Sequence, residues 1–195
     1  MAQTSTTILS ATSHKATLSG TVISFTKTGT EYKISSSNTT TLSLGSLAQY
    51  DLITVTGTTN NNNTFTVKSV ATDNSYVIVE EEVITENADG STTVSLDYVG
   101  FVTAKQQGDG YYSQVDGLHT VAYHVNSTMT GSIKMQGSLA TTPTEDDWFD
   151  ISGTTFTADQ STLVDSKNFT GNFVWTRAKC TGMTAGSVTK ILYNH

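Results

Sequence analysis

Three runs constrain the fold of this chain more than anything else in it. They are Asp51-Leu-Ile-Thr-Val-Thr-Gly57, Asn61-Asn-Asn-Thr-Phe-Thr-Val67 and Tyr76-Val-Ile-Val-Glu80, all short, rich in β-branched residues and cut by Gly and Asn. In the first, Leu52, Thr54 and Thr56 alternate with Ile53 and Val55, the two-residue period of a half-buried strand. The Asn60 to Asn63 cluster between the first two runs marks a turn, because Asn tolerates positive φ and hydrogen-bonds its own backbone. No helical period intervenes.

The same alternation recurs along the chain. It predicts strands at 16–25, 30–36, 40–44, 51–57, 64–71, 75–82 and 91–97, with Asp89-Gly90 as a hairpin signal. Further strands are expected at 98–105, 118–126, 129–138, 148–151, 154–157, a segment around 161–168, 171–180 and 186–194, with loops at 106–112 and 143–147. A helical turn or two is expected only within 158–167. The fold class that follows is all-β, with two small domains. Residues 15–97 read as a β-barrel or sandwich and 98–195 as a jelly-roll-like β-sandwich. Residues 1–14 are small and polar and read as an extended arm that orders on a neighbour, with Ile8 and Leu9 as its apolar anchor.

Composition narrows the functions. Thr is the most frequent residue, and charged residues make up only 14 % against about a quarter in ordinary domains. The exposed faces are therefore expected to be hydroxyl- and amide-bearing rather than ionic. A net charge of −7 with no basic run argues against binding nucleic acid. No segment has the length of apolar residues that a membrane span needs, and the first residues lack the pattern of a signal peptide. A single cysteine, Cys180, excludes an internal disulfide.

Few residues carry recognisable chemistry. Glu145-Asp-Asp147 with Asp150 is rich in carboxylates but lacks the alternate-position ligands and tight Gly turn of a calcium loop, so it reads as a solvated loop. His119 and His124 are five apart on one predicted strand and face opposite sides. No catalytic motif is present, and no cofactor or metal is expected. On the strand ending at Cys180, Val174, Ala178 and Cys180 form a small apolar face. Phe173, Trp175, Arg177 and Lys179 form the other, which suits either a core-and-rim arrangement or contact with a sugar or another subunit. Tyr111 and Tyr112, after Gly108-Asp-Gly110, form an aromatic loop tip suited to protein or glycan contacts. The candidate interaction surface is thus Tyr111, Tyr112, Trp148, Trp175 and Arg177, with Ile8 and Leu9 on the arm.

The first domain resembles a small β module of tailed-phage virion proteins, on Asp51–Gly57, Asn62-Asn-Thr-Phe-Thr-Val-Lys-Ser-Val70, Val77-Ile-Val-Glu80, Glu86-Asn-Ala-Asp-Gly-Ser and Val94-Ser-Leu96. The second resembles the jelly-roll domains of marine phage structural proteins, on Gly131-Ser-Ile-Lys-Met-Gln-Gly-Ser-Leu139, Asp147-Trp-Phe-Asp-Ile151, Phe173-Val-Trp-Thr-Arg-Ala-Lys179 and Gly186-Ser-Val-Thr-Lys-Ile191. The resemblance implies a non-enzymatic virion protein, a head decoration or a neck or tail accessory, assembled in a bacterial cytoplasm. Its expected partners are capsid or tail subunits and further copies of itself, with a trimer as the expected oligomer. A carbohydrate-binding module is the alternative, discriminated by whether Tyr111, Tyr112, Trp148 or Trp175 line an exposed platform.

Overall fold

The computed structural model describes residues 5–111 and 117–195. Its described residues form β-strands and loops, with one 3-10 turn, Glu145–Asp147, and no α-helix. The chain divides into two compact units. One, the inserted unit, is Lys15–Phe101. The other, the flanking unit, joins the described part of 1–14 to the residues from Val102 onward.

The chain begins with β1 (Ser5–Leu9) and β2 (Thr12–Ser13) in the flanking unit. The inserted unit then holds β3 (Leu18–Gly20), β4 (Ile23–Thr28), β5 (Glu31–Ser36), β6 (Asp51–Thr56), β7 (Thr64–Val70), β8 (Tyr76–Val79) and β9 (Val94–Val102), whose last residue crosses the division. These strands pair antiparallel in the order β3-β9-β6-β7-β8-β5-β4, an open arrangement rather than the closed barrel that was one expectation for this region. Ile34 on β5 and Val77 and Val79 on β8 alternate inward, as their period-two pattern dictates. They meet Phe25, Ile53, Val55, Phe65 and Val67 in one core.

Two expectations for this unit change. Residues 40–44 are not a strand but a loop whose Leu42 and Leu44 plug the core, joined by Leu47. The alternation of Leu42 and Leu44 reflects burial of a loop, not pairing. Asp89-Gly90 turns the chain into β9 rather than closing a hairpin, since β8 pairs with β5 and β7 while β9 pairs with β3 and β6. The Asp89 carboxylate accepts the backbone N–H groups of Ser91 and Thr92 and the Thr92 hydroxyl. Those bonds, the Thr92 hydroxyl foremost, hold it well below the usual carboxylate range.

The flanking unit continues with β10 (Gln106–Gln107), β11 (Leu118–Val125), β12 (Ser132–Ser138), β13 (Phe149–Asp150), β14 (Phe156–Thr157), β15 (Val164–Thr170), β16 (Trp175–Thr181) and β17 (Ser187–Asn194). One sheet runs β1-β17-β11-β15, with β2 also on β17. The facing strands are β13-β12-β16, with β14 on β12 and β10 on β16. The long strands β11, β12, β15, β16 and β17 alternate between the two sets, the wrap of a jelly roll. His119, Val121, Tyr123 and Val125 point inward from β11 at every second residue. With Ile133, Met135, Phe169, Ala178, Cys180, Ile191 and Tyr193 they supply the core.

The first strand overturns the reading of a free arm. Ser5–Leu9 lies antiparallel on β17, with Ser5 opposite Asn194, and Ile8 is 8 % exposed. Ile8 and Leu9 are therefore part of this unit's own packing rather than an exposed anchor. The segment 158–167 forms no helical turn. Asp159 accepts the backbone N–H groups of Ser161 and Thr162, making a turn that feeds straight into β15.

Candidate functional site

The strand β16 organises the residues singled out from sequence. Its even-numbered side chains Thr176, Ala178 and Cys180 enter the core. Its odd-numbered side chains Trp175, Arg177 and Lys179 lie on the other face, beside Ser138, Gln136 and Lys134 of β12 in the paired register. This is the division of faces that the alternation predicts for 175–180. Phe173, before the strand begins, departs from it and is buried.

The loop between β12 and β13 folds over the outer face. Arg177 is its anchor. The guanidinium donates two bonds to the Glu145 carboxylate, both 2.8 Å, and a third from Nε to Gln136 Oε1 at 3.0 Å. The Trp148 ring covers it, with 4.2 Å from the guanidinium carbon to the ring centroid. Arg177 is 4 % exposed, so it is not a rim residue, whereas Lys179 is half-buried. The Arg177 charge is spent holding the loop. The adjacent Asp147 accepts from the Thr144 backbone and hydroxyl, which lower its carboxyl below the usual range. Asp150 is half-open to burial, which alone would raise it, but bonds from Lys134 and Gln136 outweigh this and lower it. The acidic run is thus a set of caps and pairs.

Beside this covered cation lies an aromatic patch. The indole N–H of Trp175 donates to the Thr141 carbonyl at 3.0 Å, which fixes the ring. Tyr111 packs on it with centroids 5.2 Å apart and planes tilted by 56°. Lys105 sits 4.4 Å from the Trp175 ring centroid. Tyr111 is 48 % exposed, and Leu139, the residue after the strand position paired with Trp175, is 64 % exposed. The structure therefore joins Tyr111 and Trp175 into one surface, with Trp148 and Arg177 as its support. Tyr112 lies outside the described residues. Lys105 was missed in the sequence reading, and its only signal was a cation beside the loop tip.

A second polar cluster is internal. His119 is fully buried, accepting at Nδ1 from the Tyr193 hydroxyl at 2.7 Å and donating from Nε2 to the Gly171 carbonyl at 2.9 Å. Both ring nitrogens are thereby engaged. Asp109 is 1 % exposed, and its oxygens lie 3.9 Å from His119 Nε2 and 3.5 Å from His195 Nδ1, with no hydrogen-bond donor among the described residues. His119 has no lone pair left for a metal, and no group of three or more metal-ligating side chains occurs among the described residues. In the inserted unit, a cleft of about 240 Å³ is lined by Phe25, Gly57, Thr59, Glu86 and Asp89. The Glu86 carboxylate there is occupied by the Thr59 and Asn60 backbone N–H groups and the Asn61 amide.

Cys180 is fully buried, and burial pushes its thiol up to about 12. The thiol is expected to resist a thiol-specific reagent in the folded protein and to react fully once denaturant unfolds it, read by absorbance during labelling. Fast labelling without denaturant would mean that β16 opens locally.

Among the described residues, no helix is long and apolar enough to cross a membrane. No protein-family model matches this chain, and no curated protein matches it at a significant level.

Proposed function

We propose that the chain is a non-enzymatic structural component of a tailed-phage particle, a head decoration or a neck or tail accessory that works by protein–protein assembly. The observation that carries this reading is the Tyr111–Trp175–Lys105 patch, a fixed and solvent-facing aromatic surface. Such surfaces, with a rigid ring at the centre and a polar edge, are what protein interfaces are built around. The carboxylates most suggestive of chemistry, Glu145, Asp147 and Asp150, are engaged in holding the loop that supports the patch. The sequence resemblance supplies the particle.

A second reading, glycan binding, is favoured by the same two rings, since Trp and Tyr faces stack on sugars. The two are separated by one comparison. Particles assembled with Trp175→Ala protein are expected to lose at least about tenfold of its occupancy, as truncation of a central aromatic anchor does, measured by densitometry of purified particles. Unchanged occupancy together with glycan-array binding that Trp175→Ala abolishes would replace the assembly reading with the glycan one.

A further inference from the structure

The sheet β1-β17-β11-β15 ends at β15, and among the described residues nothing pairs with the far side of that strand. Two bonds fix which residues face outward. The Leu163 carbonyl accepts from Val125, and the Gly171 N–H donates to the Gly117 carbonyl, so odd-numbered residues turn their backbone polar groups toward β11. The register from Leu118↔Thr170 to His124↔Val164 has no bulge. Val164, Ser166, Asn168 and Thr170 therefore present their N–H and C=O groups to the open edge, because these groups alternate sides along an antiparallel strand.

An edge of this length is a pairing template unless something blocks it. Proline, a bulge or a row of one charge would do so. Here the strand instead reads Val164-Asp-Ser-Lys-Asn-Phe-Thr170, with one acid and one base placed symmetrically about Ser166. Asp165 and Lys167 share the inward-facing side, are 28 % and 31 % exposed at their side chains, and lie 2.9 Å apart.

We propose that β15 pairs antiparallel with β15 of a second copy of this chain, about a two-fold axis at Ser166. Ser166 then faces Ser166 of the second copy, and Val164 faces Asn168. These are even-numbered residues on both sides, so each opposed pair exchanges both backbone bonds. Asp165 stands directly across from Lys167 of the second copy, and Lys167 across from Asp165. Opposite charges at that position stabilise a strand pair. A two-fold one residue earlier would oppose Asp165 to Asp165, and one residue later Lys167 to Lys167. The charge pattern thus selects one register out of three that satisfy the backbone equally. The result is a closed, isologous pair, in place of the trimer expected from the sequence, in which the two edges cover each other. It rests on the reading of the chain as an assembly protein, but it uses β15 rather than the Tyr111–Trp175 patch.

The test is the mass of the full chain in solution by sedimentation equilibrium, from micromolar to millimolar protein. A monomer–dimer equilibrium is expected. Ser166→Pro should give a monomer with an unchanged circular dichroism spectrum and thermal midpoint, because the N–H it removes points away from β11. Lys167→Asp should weaken the dimer about tenfold by setting acids across the axis. Combining it with Asp165→Lys should restore wild-type affinity. Trp175→Ala should leave the dimer intact, so particle docking and self-pairing fail separately. A wild-type chain monomeric throughout, a trimer, a Ser166→Pro protein that still dimerises, or a double reversal that fails to recover what the single one lost would each overturn the proposal.

Discussion

Phe173→Ala is expected to destabilise the flanking unit by about 4 kcal/mol, in the range of buried Phe truncations. The ring lies 6.0 Å from Phe149, 6.2 Å from Phe169 and 5.8 Å from His119, centroid to centroid. Two glycines make room for it. A Cβ added to Gly137 or Gly171 would come within 2.6 Å or 2.4 Å of the ring. Glycines have no side chain to fill the space that truncation leaves, so the cavity persists and the cost stays near the top of the range. The Phe173 carbonyl also accepts the Gly110 N–H at 2.9 Å, which ties down the loop carrying Tyr111. Urea unfolding should show the loss as a lower midpoint. Gly137→Ala should cost about 2 kcal/mol by overpacking the same ring. Combined with Phe173→Leu, it should cost less than the sum, because the two changes share one space. A loss below about 1 kcal/mol for Phe173→Ala, too small for a cavity, would show that the site collapses.

Gly57→Val should have an effect of similar size in the inserted unit, again about 4 kcal/mol. Gly57 leaves β6 with φ +85, and a Cβ there would sit 2.3 Å from the Thr93 carbonyl oxygen. A β-branched residue held at positive φ costs about 1–3 kcal/mol. The clash is with backbone at the entry to β9, which cannot rotate aside as a side chain would, and overpacking adds about 1–3 kcal/mol. Gly57→Ala should cost roughly half as much, since it lacks the second branch. Amide hydrogen exchange along β6 and β9 should rise in proportion. Wild-type protection in Gly57→Val would mean that the Thr93 carbonyl moves freely.

Much of the fold was legible because burial is one-sided. On β11 and β8 one face is core and the other is not, so the period-two pattern could be read directly from Val121, Tyr123 and Val125 or from Val77 and Val79. It failed where a residue's partner is distant in sequence. Ile8 looked isolated because the strand that covers it is β17, at the far end of the chain. Leu42 and Leu44 mimicked a strand because a loop plugging a core also buries alternate residues. At the candidate site, the aromatic residues could be named but not grouped. Nothing near Arg177 announces that Glu145 closes over it from 32 residues away. The meeting of Tyr111 with Trp175 depends equally on the way loop and strand converge.

The pairing of Ser5 with Asn194 and of Val188 with Thr12 has a consequence for synthesis. β1 leaves the ribosome long before β17, the strand on which it docks. At about 5–20 residues per second, the N-terminal segment waits tens of seconds for its partner strand to be made. During that wait the inserted unit, whose strands are contiguous in the chain, can fold on its own. The flanking unit closes only after translation passes Ser187–Asn194, so a ribosome that stalls before that strand is made holds a chain with a finished insertion inside an unfinished host. The same adjacency makes a circular permutant, with 5 and 194 joined by a short linker and new ends opened in an exposed turn, a direct route to a chain whose strands appear in the order they are needed.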